Sequence, residues 1–404
     1  MRFHEFVALM ALLIAVNALG LDIMLPALGR IAAELNVTVE NYQQLVITVY
    51  LAAFGVGQLV YGPIADRYGR RPLLFGTMAL YAATSFVAAH VASFELLLVV
   101  RTVQGFAAAS TRVLSIAIIR DCYSGRRMAR VTSLCLMVFL MVPIVAPTLG
   151  QMILRVVPWH GLFYFLGGFS LFVAGWAWFR LSETLAPENR RPISVGSITD
   201  AARMTLSNRN SLCYTIASSV LYGGLIGFLS CSQQIFAHTF DAASMFGLGF
   251  AVISGMMAVA ALINSRIVER LGTRLVSHSA LIAMIVLCIV RLGFVLTGAE
   301  TLWIFIIIHA ATMFLFGLTG SNFGAMAMEP LGHIAGTASS IQGFVSSVIG
   351  TAIGLMIGQS FSGTTLPLTV GFLIASTIAL VMVLIAERGR LFHAHNVRPT
   401  IQPL

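Results

Sequence analysis

Apolar residues run along this chain in blocks of about twenty, separated by short polar connections. Twelve blocks stand out: Phe6–Leu28, Leu45–Ile64, Leu73–Val91, Leu96–Ile119, Val131–Val157, Leu162–Leu181, Leu212–Phe236, Phe246–Ile267, Val276–Leu296, Leu302–Met328, Ile334–Phe361 and Leu366–Ala386. At a rise of ~1.5 Å per residue, roughly 20 apolar residues cross the ~30 Å hydrocarbon core of a bilayer as a helix. The pattern therefore predicts an all-α membrane protein of twelve transmembrane helices. Arg2 precedes the first block as it would in a secretory leader, but the apolar stretch is too long and Asp22 and Pro26 occupy the place of a cleavage site. This block is read as a retained first helix.

Composition agrees and excludes most alternatives. The chain is 58% apolar and 10% charged, and a soluble fold of that balance has too few polar groups to cover its surface. The net charge of +9 comes from 24 basic residues, all arginine. With both termini placed in the cytoplasm, nineteen of these lie in inner loops, only Arg30 and Arg155 lie in outer loops, and Arg101, Arg112 and Arg291 lie within spans. The basic charge thus records membrane topology, and no nucleic-acid partner is expected. Cys122, Cys135, Cys213, Cys231 and Cys288 have neither CxxC spacing nor a histidine cluster, so reduced, mostly buried thiols are expected, with no metal site.

The longest connection divides the chain into residues 1–181, a cytoplasmic loop over 182–211, and residues 212–404, with six spans in each half. The decamer Gly62-Pro63-Ile64-Ala65-Asp66-Arg67-Tyr68-Gly69-Arg70-Arg71 faces Ser265-Arg266-Ile267-Val268-Glu269-Arg270-Leu271-Gly272-Thr273-Arg274 at an offset of 203 residues, each between the second and third span of its half. That is the parallel-repeat signature of a two-bundle transporter.

The first decamer resembles the signature G-x-L-a-D-r-x-G-r-r of the major facilitator superfamily, with Ile64 in place of leucine. Arg101-Thr102-Val103-Gln104-Gly105 resembles that family's fourth-span R-x-x-Q-G motif. Ala146-Pro147-Thr148-Leu149-Gly150-Gln151 resembles its antiporter motif G-P-x-x-G-G with two glycines replaced. Asp22-Ile23-Met24-Leu25-Pro26-Ala27-Leu28 and Ala335-Gly336-Thr337-Ala338-Ser339-Ser340 resemble the bicyclomycin- and chloramphenicol-resistance subfamily of twelve-span drug/proton antiporters. The resemblance covers the whole chain. It implies two pseudo-symmetric six-helix bundles in a bacterial cytoplasmic membrane, with the first, fourth, tenth and eleventh spans lining a central cavity. It also implies that Asp66 sits against the inner start of span eleven, here Ile334-Ala335-Gly336, and near Arg120, closing the cytoplasmic side. Gly62, Asp66, Arg67, Gly69, Arg70, Arg120, Pro147, Gly150 and Gly336 are accordingly the conformational candidates.

An ionisable side chain near the centre of a span costs about 2.5–3.5 kcal/mol on insertion scales, so those present should face water or one another. Asp22 and Arg101 fall at matching depths, roughly 8–9 Å below the outer boundary, and are the expected proton-coupling pair. Burial and a neighbouring guanidinium act in opposite directions on such a carboxyl, and an access change that separates the two releases the balance. Arg101, Gly105, Ala108, Arg112 and Ser115 fall on one stripe of the fourth span, with the two guanidiniums about 16 Å apart. Arg112 either faces the cavity or snorkels to the interface, and Arg291 is read as a snorkelling or packing residue. Gln104, Arg112, Gln233, Gln234, His309, Asn322 and Gln342 are the candidate substrate contacts. For these amides and His309, as for Gln58 and Ser230, an interhelical hydrogen bond is the competing role. Trp159 and Trp303 read as interfacial anchors.

The expected function is proton-coupled export of small amphipathic organic compounds, including antibiotics, by a monomer that needs no cofactor beyond the proton gradient. A transporter of one anionic metabolite is the rival within transport. A membrane-embedded lipid-modifying enzyme would need an acid/base or metal-ligand cluster that the chain lacks.

Overall fold

The computed structural model describes residues 1–190 and 195–392, with the backbone alone at 126, 129, 189, 195, 197, 198, 200, 201 and 332–336. Each apolar block becomes a long helix: α1 (Phe3–Asp22), α2 (Leu45–Tyr68), α3 (Arg70–Ala88), α4 (Phe94–Cys122), α5 (Gly125–Val156), α6 (His160–Arg180), α7 (Arg209–Gln234), α8 (Phe246–Leu271), α9 (Thr273–Leu296), α10 (Leu302–Met328), α11 (Ala335–Gln359) and α12 (Leu366–Ala386). Among the described residues eleven spans are long and apolar enough to cross a membrane. The exception, α3, opens on Arg70 and Arg71 and carries Thr77, Tyr81, Thr84 and Ser85, all of them buried against neighbouring helices except Arg71. Its 19 residues still give about 28 Å.

Polar N-caps set several helix starts. Ser93, Asn208 and Thr301 accept from the backbone N–H groups of Leu96, Ser211 and Ile304, satisfying donors that a helix leaves open. The connection between the halves contains a linker helix, Val195–Ser207.

Helix packing repeats between the halves. The contacts α1–α4, α1–α5, α1–α6, α2–α4, α3–α4 and α3–α6 recur as α7–α10, α7–α11, α7–α12, α8–α10, α9–α10 and α9–α12. The two bundles meet chiefly along α2–α11 and α5–α8, which the repeat also exchanges. The end carrying the N-terminus and the linker is the loop end, and the opposite one is the far end. Large apolar side chains such as Phe179, Val156, Met356 and Leu296 are exposed on the outer surface, where lipid replaces water. Trp303 is exposed near a span end, as an anchor should be. Trp159 is not an anchor: it is buried, and its Nε1 donates to Glu34 Oε2 at 2.8 Å.

Candidate functional site

α1 stops at Asp22 for a local reason: Pro26, four residues on, has no N–H to give to the Asp22 carbonyl. The chain continues as a tight turn, Leu25–Ala27, and a short helix, Leu28–Glu34. Gly150 of α5 lies against this break. A Cβ there would stand 2.4 Å from the Ile23 carbonyl oxygen and 3.0 Å from Pro26 Cγ, so the glycine of the degraded motif holds α5 onto the end of α1. Pro147 lies within α5, one turn earlier. Asp22 is 3% exposed and makes no hydrogen bond or ion pair among the described residues.

The expected Asp22–Arg101 pair is not formed. Arg101 is fully buried and spends its donors elsewhere: Nε on the Val46 carbonyl at 3.2 Å, one terminal nitrogen on the Gly20 carbonyl at 3.0 Å, and the other on Gln104 Oε1 at 2.6 Å. Its guanidinium carbon lies 4.3 Å from the centre of the Tyr50 ring. Gln104 in turn donates to Ser85 Oγ at 2.6 Å. Gln104 is therefore not a substrate contact; it is completely buried and orients Arg101 one helical turn away. Gly105 completes the motif by steric necessity, since a Cβ there would lie 2.1 Å from the Tyr50 carbonyl oxygen. The fourth-span motif thus ties α4 to α1, α2 and α3.

Arg112 behaves differently from the rest of its stripe. Gly105, Ala108 and Ser115 are buried, whereas Arg112 is exposed and makes no hydrogen bond or ion pair among the described residues. It lies within electrostatic range of Tyr222 on α7, and so does Asp22. Asp22, Arg112 and Tyr222 therefore converge from both bundles on one region.

At the far end the bundles are bonded to each other. Gln44 Nε2 donates to Gln234 Oε1 at 2.6 Å and to the Gly358 carbonyl at 3.0 Å. Gln234 Nε2 donates to Asn41 Oδ1 at 3.0 Å, and Asn41 Nδ2 donates to the Gln359 and Phe361 carbonyls. Gln151 accepts from the Gly247 N–H and donates to the Ala243 carbonyl. Gln234 thus belongs to a far-end latch rather than a binding pocket, and Gln233 lies beside it, its Nε2 3.5 Å from where a Gly29 Cβ would stand. Gln151, which replaces a motif glycine, is itself a latch residue. Midway, Gln58 Nε2 donates to Ser347 Oγ at 2.9 Å. No hydrogen bond or ion pair joins the bundles at the loop end among the described residues.

Three further candidates lie inside the second bundle. His309 Nδ1 meets an Arg291 terminal nitrogen at 3.1 Å, and its ring stacks on Phe305. Arg291 does not snorkel; it is 2% exposed, and its Nε pairs with Glu300 at 2.9 Å. Asn322 and Asn264 exchange hydrogen bonds at 2.9 and 3.2 Å, joining α10 to α8. Gln342 donates to Ser211 Oγ and the Ala327 carbonyl. All three hold helices of one bundle together, because each finds its partners there.

The signature loop turns on Gly69, whose φ of +103° disfavours any side chain. A Cβ there would also meet Glu183 Oε2 at 2.7 Å. Glu183, which sequence reasoning did not single out, accepts from the N–H groups of Arg70 and Arg71 at 3.0 and 3.1 Å and so caps α3. Partial burial pushes the Glu183 carboxyl up, but the N–H donors of Leu185, Arg70, Arg71 and Thr184 outweigh it and hold the group below its ordinary value. A depressed carboxylate contributes stability above about pH 4.3 that is lost as pH falls through the folded value, so this cap is intact near neutrality. Arg70 bridges Asp66 at 2.7 Å and Asp121 at 3.0 Å. Asp66 does not pair with Arg120, which is exposed, because Arg70 is one turn away and takes its carboxylate. Arg67 lies over the Tyr68 ring at 5.2 Å. Gly62 meets nothing within 4 Å, so no close approach uses it in this arrangement. Gly336 begins α11, and its surroundings lie outside the described side chains.

The second repeat carries a related arrangement, with a side-chain ion pair in place of the backbone cap. Gly272 has a φ of +83°, and Glu387, the acid after α12, binds Arg274 at 2.7 Å. The near-identical offsets, Gly69 to Gly272 and Glu183 to Glu387, are the signal by which sequence reasoning could have found Glu183. We expect Gly69→Ala to cost about 1–3 kcal/mol and Gly62→Ala almost nothing. Thermal unfolding of the purified protein in detergent checks the contrast, and equal melting temperatures would refute it.

Two repeats of six membrane-length helices, meeting across a polar seam, define a multi-pass membrane transporter. The sequence pattern of the Major Facilitator Superfamily matches residues 10–355, and the chain belongs to that family; it is a transporter and not an enzyme. It is 28% identical over 366 residues to a bicyclomycin resistance protein homolog of Haemophilus influenzae, covering 90% of this chain and 91% of that one. It is 29% identical over 373 residues to a chloramphenicol resistance protein of Pseudomonas aeruginosa, covering 90% and 86%. Among solved structures, the human organic anion transporter MFSD10 shares the fold with a TM-score of 0.69 at 18% identity, over 96% of this chain and all of that one.

Proposed function

We propose that this protein exports small amphipathic organic compounds, antibiotics among them, from the bacterial cytoplasm in exchange for protons, by alternating access as a monomer in the inner membrane. The arginine distribution supports placing the loop end and both termini in the cytoplasm. On that orientation an inward-facing reading is supported by cross-bundle hydrogen bonds at the outer end and midway, with none at the inner end among the described residues. The carrying observation is the unpaired Asp22 carboxyl, buried beside the region where both bundles converge. A carboxyl that meets no guanidinium takes up or gives up a proton without breaking an ion pair. The names of the bacterial relatives motivate the choice of antibiotics.

The test is the purified protein in proteoliposomes with an internal pH dye, challenged with chloramphenicol and bicyclomycin. Saturable, substrate-dependent proton movement supports the reading, and substrate transport with no accompanying proton movement rejects the coupling. The latch gives a second test. Gln44→Leu combined with Gln234→Leu removes both partners of one cross-bundle bond and should shift the population toward the outward-facing state. The readout is labelling of a cysteine introduced at the far end of the seam, compared with one at the loop end. Unchanged accessibility at both ends would exclude a latch role.

A further inference from the structure

Arg112 is the one guanidinium lying well inside a span that finds no partner among the described residues. Arg101 is enclosed by three acceptors, and Arg291 is held by Glu300 and His309. Arg112 lies seven residues before the inner end of its apolar block at Ile119, about 10 Å along the axis, within the span and not at its edge. It is exposed all the same. It shares its stripe of α4 with the buried Gly105, Ala108 and Ser115 and lies within electrostatic range of Tyr222 of the opposite bundle, a residue that also feels Asp22, which puts it on the face of α4 that meets the seam. A charge at that depth persists where water or a ligand meets it.

Of the two charges that converge here, the accessible one is positive. Asp22 is 3% exposed, so the carboxyl is set back while the guanidinium stands forward. Toward the loop end, Arg67 and Arg120 are also exposed, and the nearby Asp66 carboxylate is already bound by Arg70. Gln58 and Ser347 satisfy each other. The half-buried Tyr222 adds a hydroxyl, which can donate to the same anionic oxygen that Arg112 would grip.

We propose that Arg112 is the recognition group of the seam between the bundles and selects amphipathic compounds bearing an anionic or strongly hydrogen-bond-accepting group over permanently cationic ones. This deepens the export reading and rests on it for the direction of transport, but it is a statement about binding. Between low-dielectric protein walls like charges repel more strongly than in bulk water, and complementary ones confer discrimination.

The experiment uses two ions of one size and shape, tetraphenylborate and tetraphenylphosphonium, and measures saturable binding to the full-length protein in detergent. The wild type should bind the borate roughly tenfold more tightly than the phosphonium. Arg112→Gln should collapse that ratio toward one, and Arg112→Lys should keep most of it. Equal binding of the two ions by the wild type, no saturable binding of either, or an unchanged ratio in Arg112→Gln overturns the proposal. Proton-linked transport in vesicles decides the export reading separately: anion-selective binding without transport would defeat that reading and leave the assignment of Arg112 standing.

Discussion

On the export reading proposed above, Asp22→Asn is expected to abolish uphill export driven by an imposed pH gradient, while the protein stays folded and still exchanges substrate downhill across the membrane. The substitution keeps the shape and polarity of the side chain and removes only its capacity to bind and release a proton. Because the Asp22 carboxylate meets no arginine, no ion pair is broken and no guanidinium is stranded. The melting temperature should therefore remain close to that of the wild type. Break of the helix at this position is set by Pro26 and packed by Gly150, neither of which the substitution touches. The assay is substrate accumulation in proteoliposomes against a pH step, with substrate counterflow as the control. Uphill export near the wild-type rate would remove Asp22 from the coupling mechanism.

Arg101→Ala has a large effect of another kind. It empties a fully buried site, for which a void costs about 3 kcal/mol or more, and it leaves Gln104 Oε1 without its donor, at about 1–3 kcal/mol. The sum approaches the whole stability of a marginal fold, about 5–15 kcal/mol. Loss of folded protein in detergent is the expected result, not a selective defect in proton movement. Asp22 and Arg101 do not touch, whereas Arg101 and Gln104 are bonded at 2.6 Å. Double-mutant cycles on stability should accordingly show coupling of roughly 0.5–3 kcal/mol for Arg101 with Gln104 and a smaller value for Arg101 with Asp22. The reverse order would restore the ion pair that the matching depths suggested.

Depth along a span follows from residue counting, and Asp22 and Arg101 do lie close enough for both to act on Tyr50. The direction in which a flexible guanidinium points depends on which acceptors the neighbouring helices offer, and those come from α1, α2 and α4 together. Gln234, His309, Asn322 and Gln342 were visible as polar residues in apolar blocks. Whether each faces a cavity or another helix is decided by partners 190, 18, 58 and 131 residues away in the chain.

The sequence by itself determined the twelve spans, the repeat and the family. Span length is a matter of composition over about twenty residues against a bilayer of set thickness, and the repeat is carried by glycines whose backbone geometry admits little else. The end of α1 was equally local, since a proline states where a helix loses its hydrogen bond. Tertiary structure alone decided that the bundles close at the far end through carboxamides of Asn41, Gln44, Gln151 and Gln234. It likewise decided that Glu183 grips the start of α3, and that Arg112 stands free while Arg101 is buried. Those outcomes depend on which side chains meet across helices far apart in the chain, and a hydrogen bond is satisfied by proximity in space, which periodicity along one helix does not encode.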